Sequence, residues 1–272
     1  MQIGNREFDL KQNTYVMGIL NVTPDSFSDG GKWNQPDSAL SHVEEMIRHG
    51  AAIIDVGGES TRPGYLQISD EEEIERILPV IASIKKHFDI PVSVDTYKSR
   101  VAKAAIAEGA DMVNDIWGLK YDAKMAEVIA ETKVACCLMH NRTDMEYKDF
   151  MQDMIKDLKE TIKIAQDAGI KEDKIILDPG VGFAKTYEQN LTAIHQVEKL
   201  KELGYPILLG TSRKSVIGLT LDLEKGEREE GTMVTTVFGV QKGCAFVRVH
   251  DVKANERAIR MTRAIMNEKK PG

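Results

Sequence analysis

Residues 51–96 read AAIIDVGGESTRPGYLQISDEEEIERILPVIASIKKHFDIPVSVDT, and this stretch decides the fold. It begins with a continuous apolar run, Ala51–Gly57, and ends with a second apolar run at residues 91–96. Uninterrupted apolar strands separated by a helix are typical of a parallel sheet, whose faces are covered by helices. The acidic residues 70–73 favour a helix that begins at Asp70. The stretch therefore predicts one strand–helix–strand unit.

The same unit recurs along the whole chain. Apolar runs lie at residues 15–22, 51–57, 91–96, 112–116, 134–140, 175–180, 206–212 and 245–252. Amphipathic segments that indicate helices lie at residues 37–49, 70–87, 98–108, 144–168, 187–203, 232–242 and 254–267. Eight such runs in 272 residues predict an α/β protein folded as a (β/α)8 TIM barrel.

We expect one domain over residues 1–272, because no linker or break in composition divides the chain. The first residues, around Gly4 and Asn5, have the composition of a short hairpin. Such a hairpin is expected to close the floor of the barrel.

Composition narrows the classes of function. The net charge is −7 and no basic stripe covers the chain, so we expect no nucleic acid as a partner. No apolar segment is long enough to span a bilayer and no signal peptide begins the chain, which predicts a cytoplasmic protein without membrane contact. Cys136, Cys137 and Cys244 lie in apolar runs without the spacing of metal ligands, so we expect buried thiols.

Polar side chains end the apolar runs. They are Asn21, Asp55, Asp95, Asn114, Asp115, His140, Asp178, Ser212, Arg248 and His250. The carboxyl ends of all barrel strands lie on one face, where TIM-barrel enzymes carry their active sites. We therefore expect these side chains to converge. For any one of them the alternative is that it caps the next helix, but that explanation is weak for the whole set, because buried charges are costly without partners.

Three loops after the runs carry further groups. Residues 23–31 (TPDSFSDGG) place Phe27 among polar residues, and residues 57–64 (GGESTRPG) place Arg62, whose forked guanidinium suits phosphate. Residues 210–215 (GTSRKS) bring hydroxyls and cations to a helix start, where backbone N–H groups favour an anion. The alternative for this last loop is a capping serine followed by solvated cations.

Two kinds of binding group are thus expected at one barrel face. Asp95, Asn114 and Asp178 suit a flat heterocycle rich in hydrogen-bond donors. A second group suits a phosphate or pyrophosphate and consists of Arg62, Lys214, Arg248 and His250. No Cys–His or Ser–His–Asp order indicates a covalent nucleophile. The residues alone predict a barrel that binds a polar heterocycle and an anion, without specifying a reaction.

Eight motifs follow one another from about residue 16 to about residue 251. They are MGILNVTPDSFSDGG, DVGGESTRPG, PVSVDT, NDIWG, LMH, LDPGVGF, GTSRKSVIG and VRVHDV. They resemble the motifs of the dihydropteroate synthase family of pterin-binding enzymes. The resemblance implies a transferase of folate biosynthesis. It would condense 6-hydroxymethyl-7,8-dihydropterin pyrophosphate with p-aminobenzoate to 7,8-dihydropteroate and pyrophosphate. It also implies an SN1-like path, Mg²⁺ as cofactor, sulfonamides as inhibitors and a homodimer.

The resemblance further implies roles for individual residues. The pterin would contact Asp95, Asn114, Met139, Asp178, Phe183, Lys214 and Arg248. The pyrophosphate would contact Asn21, Thr61, Arg62, Arg248 and His250, with Asn21 also binding Mg²⁺. The p-aminobenzoate would contact Phe27, Pro63, Phe183, Ser212 and Lys214. The expected catalytic residues are Asp95, Lys214 and Arg248.

Two alternatives to this function stay open at the level of sequence. One is a pterin-binding methyltransferase domain that acts with a corrinoid protein and needs no pyrophosphate site. The other is a pterin-binding paralogue without catalysis. The STRPG and SRK loops are evidence against the methyltransferase, because they supply groups for an anion. In a non-catalytic paralogue the loops would be damaged, but all the loop residues named above are present.

Overall fold

Eight parallel strands form a barrel in the computed structural model, which describes residues 1–11, 13–22, 35–59 and 67–269. The strands along the chain are β1 Gln2–Ile3, β2 Arg6–Glu7, β3 Tyr15–Asn21, β4 Ala51–Gly57, β5 Val92–Asp95, β6 Met112–Asp115, β7 Ala135–Met139, β8 Ile175–Asp178, β9 Leu208–Leu209 and β10 Phe246–Val249. The barrel strands pair in the order β8–β7–β6–β5–β4–β3–β10–β9. A parallel bridge between Leu177 and Ile207 brings the two edges together, which confirms the predicted (β/α)8 barrel.

Helices cover the outside of the barrel. They are α1 Gln35–Arg48, α2 Asp70–His87, α3 Ser99–Ala107, α4 Met125–Thr132, α5 Phe150–Asp167, α6 Tyr187–His195, α7 Ser215–Leu221, α8 Glu229–Lys242 and α9 Val252–Asn267. Short 3-10 helices lie at Glu172–Lys174, Val197–Leu203 and Lys225–Glu227. In the described part of the chain, no helix combines the length and the apolar character that crossing a membrane requires.

The apolar core has two layers, because successive side chains of a strand point to opposite faces. Cys136 belongs to the layer between strands and helices, whereas Cys137 belongs to the layer inside the barrel. Both thiols and that of Cys244 are buried, as the sequence predicted. Burial raises the pKa of Cys244 to about 12, so this thiol stays protonated at neutral pH.

The N-terminal hairpin closes one end of the barrel. Its strands β1 and β2 pair antiparallel around Gly4, whose φ of +57° suits a residue without a side chain. Ile3 and Phe8 are buried in the inner layer, and the Phe8 ring centroid lies 5.6 Å from that of Phe246. The hairpin predicted at Gly4 is therefore confirmed. Its apolar side chains fill this end of the barrel, and the predicted polar site residues lie at the opposite end.

Some element boundaries differ from those expected. The helix predicted at residues 144–168 begins only at Phe150, because Asp149 accepts a hydrogen bond from the Gln152 amide at 3.1 Å and caps it. The helix predicted at residues 187–203 changes to a 3-10 helix after His195. The strand predicted at residues 206–212 is reduced to β9, because only Leu208 and Leu209 pair with β10.

Candidate active site

The carboxyl ends of the strands bring predicted site residues to one end of the barrel. Asp95 lies beside Asn114 across β5 and β6, and Met139 lies beside Asp178 across β7 and β8. All four side chains are buried. The predicted residues Phe27, Thr61, Arg62 and Pro63 lie outside the described residues.

Arg248 lies between two carboxylates at the centre of this end. Its Nε donates to Asp55 Oδ2 at 2.6 Å and its Nη2 donates to Asp95 Oδ2 at 2.6 Å. Asn114 Nδ2 donates to the same oxygen of Asp55 at 3.1 Å. The other oxygens, Asp55 Oδ1 and Asp95 Oδ1, are buried and have no hydrogen-bond partner among the described residues. Because unpaired buried acceptors are costly, these two oxygens are suited to N–H donors of a ligand.

Burial and charge compete at this centre. Burial raises the pKa of Asp95 to about 7. The positive charge of Arg248 opposes this rise, and the negative charge of Asp55 adds to it. Burial of Arg248 lowers its pKa, but the neighbouring carboxylates of Asp55 and Asp95 raise it by more. The guanidinium therefore stays charged. Two carboxylates facing one guanidinium favour a ligand that donates hydrogen bonds or carries positive charge.

Lys214 approaches from the loop after β9. Its Nζ donates to the Val181 carbonyl and lies 4.9 Å from the centroid of the Phe183 ring, a distance at which a cation and an aromatic face attract. Burial lowers the pKa of Lys214 to about 8, although Asp178 opposes the shift. Asp178 in turn accepts from the Gly180 amide at 2.7 Å. The turn 180–183 therefore connects three predicted site residues.

A small apolar cluster lines the same end of the barrel. Met139, Tyr97 and Ile116 form its buried part, and Trp117 and Phe183 pack against them half-exposed. Flat apolar side chains beside hydrogen-bonding acids are the combination that an aromatic heterocycle needs.

Ser212 and His250 fix the loop after β9 against the end of β10. The His250 amide donates to Ser212 Oγ at 3.1 Å, and the same hydroxyl lies 2.9 Å from His250 Nδ1. Arg213, next to Ser212, donates from Nε to Asp251 Oδ2 at 3.0 Å. These contacts hold a hydroxyl and an imidazole together where the sequence predicted an anion.

Asn21 is the last residue of β3 and lies close to Gly57, which has no side chain. A methyl group built on Gly57 would come within 3.8 Å of Asn21 Oδ1 and within 3.6 Å of Asp95 Oδ2. The missing side chain thus preserves a space between an amide oxygen and a carboxylate. Among the described residues, no three His, Cys, Asp or Glu side chains form a cluster suited to a metal.

The structure adds residues whose roles were not predicted from the sequence. Asp55 was recognised as a strand-end acid, but its pairing with Arg248 joins residues 193 positions apart and left no local signal. Lys98 was not recognised: its Nζ donates to Glu59 at 2.6 Å, to Glu73 at 2.8 Å and to the Ile68 carbonyl at 2.8 Å. Lys98 thereby joins residues on both sides of segment 60–66.

Known proteins are similar to this chain in sequence and in fold. The family described as Pterin binding enzyme matches residues 17–250. A dihydropteroate synthase of Clostridium beijerinckii is 62% identical over 267 residues, which cover 98% of this chain and 99% of the relative. The crystal structure of a dihydropteroate synthase from Clostridium difficile in the presence of pteroic acid has a TM-score of 0.93 and 52% identity, covering 95% of this chain and 99% of its own. That of Yersinia pestis dihydropteroate synthase with a sulfonamide drug has a TM-score of 0.92 and 37% identity, covering 98% and 99%.

Proposed function

The chain belongs to the pterin-binding enzyme family and, within it, to the dihydropteroate synthases, and from this premise we propose how its residues perform the reaction. It is a transferase that joins 6-hydroxymethyl-7,8-dihydropterin pyrophosphate to p-aminobenzoate. The C–O bond to pyrophosphate breaks with its electron pair going to the leaving group. A C–N bond forms to the amine, and the amine releases a proton to water.

One observation carries the proposed pterin site: two buried carboxylate oxygens, Asp55 Oδ1 and Asp95 Oδ1, have no partner among the described residues. A pterin edge presents an amino group and ring N–H groups, which are donors that these acceptors and Asp178 match. Asn114 donates one N–H of its amide to Asp55, and its amide oxygen can accept from the ring. Asp55 therefore orients Asn114 for the ligand.

The faces of the pterin ring meet apolar and cationic groups. Met139 and Phe183 line the ring, and the planar guanidinium of Arg248 stacks on it. Arg248 is held in place by its two carboxylates, so it stacks with little loss of side-chain freedom. Lys214 lies on the far side with its charge over the Phe183 ring.

The leaving pyrophosphate needs positive charge around it. Arg248 supplies part of it, together with Arg62 in the second loop, and His250 and Thr61 add hydrogen-bonding groups. The amide oxygen of Asn21 fits Mg²⁺, a cation that takes oxygen ligands, and the space over Gly57 leaves room beside it. When bound, Mg²⁺ offsets the negative charge that grows on the departing pyrophosphate.

Departure of the pyrophosphate leaves a delocalised cation on the pterin, so the path is SN1-like. The Asp95 carboxylate, close to the ring, stabilises this cation when ionised. The amine of p-aminobenzoate is weakly basic and needs positioning more than activation. Phe27, Pro63, Phe183, Ser212 and Lys214 position it, and sulfonamides compete for the same place.

The reaction is tested by pyrophosphate release from purified protein with both substrates and Mg²⁺. We expect 7,8-dihydropteroate to form, together with pyrophosphate, only when the pterin pyrophosphate and p-aminobenzoate are both present. Pyrophosphate release without dihydropteroate in the presence of both substrates, or no release at all, would contradict the proposal. Methyl transfer that depends on a corrinoid protein would instead support the methyltransferase alternative, and pterin binding without turnover would support the non-catalytic one.

We also propose that the protein is a cytoplasmic homodimer. Its three free buried cysteines suit a reducing compartment. The helices α6, α7 and α8 present an exposed apolar surface made of Leu191, Leu219, Leu221, Val234 and Phe238. A groove of about 520 Å³ runs between these helices and is lined mainly by apolar side chains. A second copy of the chain is the occupant that the family resemblance indicates for this apolar face.

A further inference from the structure

A cluster of titratable side chains, two of them buried and two half-buried, lies behind the turn 180–183, and the proposed mechanism does not use it. Its members are His140, Arg142, Asp157 and Lys185. Lys185 is only 7% exposed and His140 only 2%. Lys185 Nζ lies 3.0 Å from His140 Nδ1 and 3.0 Å from the Phe183 carbonyl oxygen. A lysine is seldom buried without a specific set of partners, so this arrangement calls for a function.

The direction of each hydrogen bond in the cluster follows from the charges. Burial lowers the pKa of His140 to about 4, so the imidazole is neutral at pH 7 and carries one ring proton. His140 Nε2 lies 2.9 Å from Asp157 Oδ2, an oxygen that also accepts from Arg142 Nε at 2.6 Å. A carboxylate can only accept, so the proton is on Nε2. His140 Nδ1 is then an acceptor, and Lys185 donates both to it and to the Phe183 carbonyl.

The turn that Lys185 holds has no room to shift toward β7. Gly180 has a φ of +68°, and a methyl group built on it would come within 2.0 Å of the His140 carbonyl oxygen and 3.3 Å of Lys185 Nζ. On the other side of the turn, the Gly182 amide donates to Asn190 Oδ1 at 2.5 Å. The turn is therefore fixed from β7, from α6 and, through Lys214, from the loop after β9.

We propose that Lys185 is a positioning residue for the p-aminobenzoate side of the active site, acting through Phe183. By tying the Phe183 backbone to His140, Lys185 fixes the ring of Phe183 against the ammonium group of Lys214. The inference rests on the proposed function, which assigns Phe183 and Lys214 to the p-aminobenzoate site. Lys185 itself touches neither substrate in this account.

The test is a double-mutant cycle on turnover. Lys185→Met keeps the length of the side chain but removes its donors, so we expect the KM for p-aminobenzoate to rise about tenfold, with kcat changing by less than about threefold. Phe183→Ala removes the ring through which Lys185 acts. In that background we expect Lys185→Met to change the KM by less than about twofold, because the two residues form one unit.

Two results would overturn the inference. One is an equal rise of the KM in both backgrounds, which would mean that Lys185 acts independently of the ring. The other is an unchanged KM accompanied only by a lower melting temperature, which would make Lys185 a structural residue. The control is Lys163→Met, since the Lys163 side chain is 73% exposed on α5, and we expect wild-type kinetics from it.

Folding of each variant is checked by circular dichroism. Where Lys185→Met does not fold, Lys185→Leu, which likewise has no donor for the Phe183 carbonyl, takes its place in the cycle. Failure of both to fold would also make the residue structural and overturn the inference. The wild-type protein in the same assay separates the two proposals: an inactive wild type defeats the proposed function, whereas an active wild type with an unaffected KM in Lys185→Met defeats only this inference.

Discussion

At the scale of single residues, burial sets the chemistry of the barrel mouth. Asp95 is buried and Lys214 is half-buried, and loss of contact with water moves their pKa values toward each other, to about 7 and about 8. Arg248 stays charged because two carboxylates flank it. Within the described residues, the site therefore combines one permanent cation with groups whose charge depends on pH near neutrality.

Lys214 makes this dependence measurable. A lysine is charged below its pKa, so a residue with a pKa of about 8 loses its charge as the pH rises through 8. We predict that kcat/KM for p-aminobenzoate falls above about pH 8. In Lys214→Arg the activity is lower, but this alkaline fall disappears, because a guanidinium stays charged throughout the range.

The comparison with Lys214→Arg also separates Lys214 from Lys185, whose pKa burial lowers to about 7. Steady-state rates across pH 6 to pH 10 supply the measurement. An unaltered alkaline fall in Lys214→Arg would assign that fall to another group.

At the scale of elements, the two ends of the barrel have different roles. The end closed by the hairpin contributes to stability, and the carboxyl ends of the strands carry the proposed active site. Phe8 fills the floor, where its ring meets those of Tyr15 and Phe246 at centroid distances of 4.9 Å and 5.6 Å. The polar contacts of the proposed site all lie at the carboxyl ends of the strands. Changes at the floor should therefore alter stability without altering turnover.

Phe8→Ala tests this division. Truncating a buried aromatic side chain costs about 3–5 kcal/mol, and we predict a loss of this size in the free energy of unfolding, measured with a denaturant. The KM values of the folded variant stay at wild-type levels. Glu7→Ala, at an exposed neighbouring position, is the control and leaves both quantities unchanged. A loss below about 1 kcal/mol in Phe8→Ala would show that the hairpin does not contribute as proposed.

Elements were predictable from sequence where their pattern is long and local. The strand β4 and the helix α2 were predicted with the observed bounds. A buried strand is an uninterrupted apolar run in the sequence, and the acidic first turn of α2 indicates where that helix begins. Helices α4 and α7 were not delimited, since eight and seven residues are too few for an apolar period to stand out. The pairing of Asp55 with Arg248, and of Lys185 with His140, was not predictable, because such contacts depend on the closed barrel.

At the scale of the whole molecule, helices α6 to α8 carry an apolar surface that is exposed to solvent. Val234 is 57% exposed and lines the groove between these helices. Contiguous exposed apolar side chains mark sites of association more often than isolated ones do. In the proposed homodimer, this surface is covered by the same surface of a second copy.

Val234→Lys tests the homodimer. Burying an unpaired charge in an apolar interface is costly, so we predict that the variant is a monomer where the wild type is a dimer. Light scattering coupled to size-exclusion chromatography gives the mass. Met261→Lys on α9 is the control, because Met261 is 62% exposed outside the groove, and this variant stays a dimer. A wild type that is monomeric at all concentrations, or an unchanged dimer in Val234→Lys, would contradict the assignment.

In the proposed mechanism, the Asp95 carboxylate, held beside Arg248, recognises the pterin and supports its reaction. Titration calorimetry of a pterin into wild-type protein and Asp95→Asn is the most direct measurement of this recognition. Asp167→Asn, at an exposed carboxylate on α5, is the control and keeps wild-type affinity. We predict that Asp95→Asn stays folded and binds the pterin at least about tenfold more weakly, because an amide offers one acceptor in place of two and no charge. Wild-type affinity in folded Asp95→Asn would contradict the account.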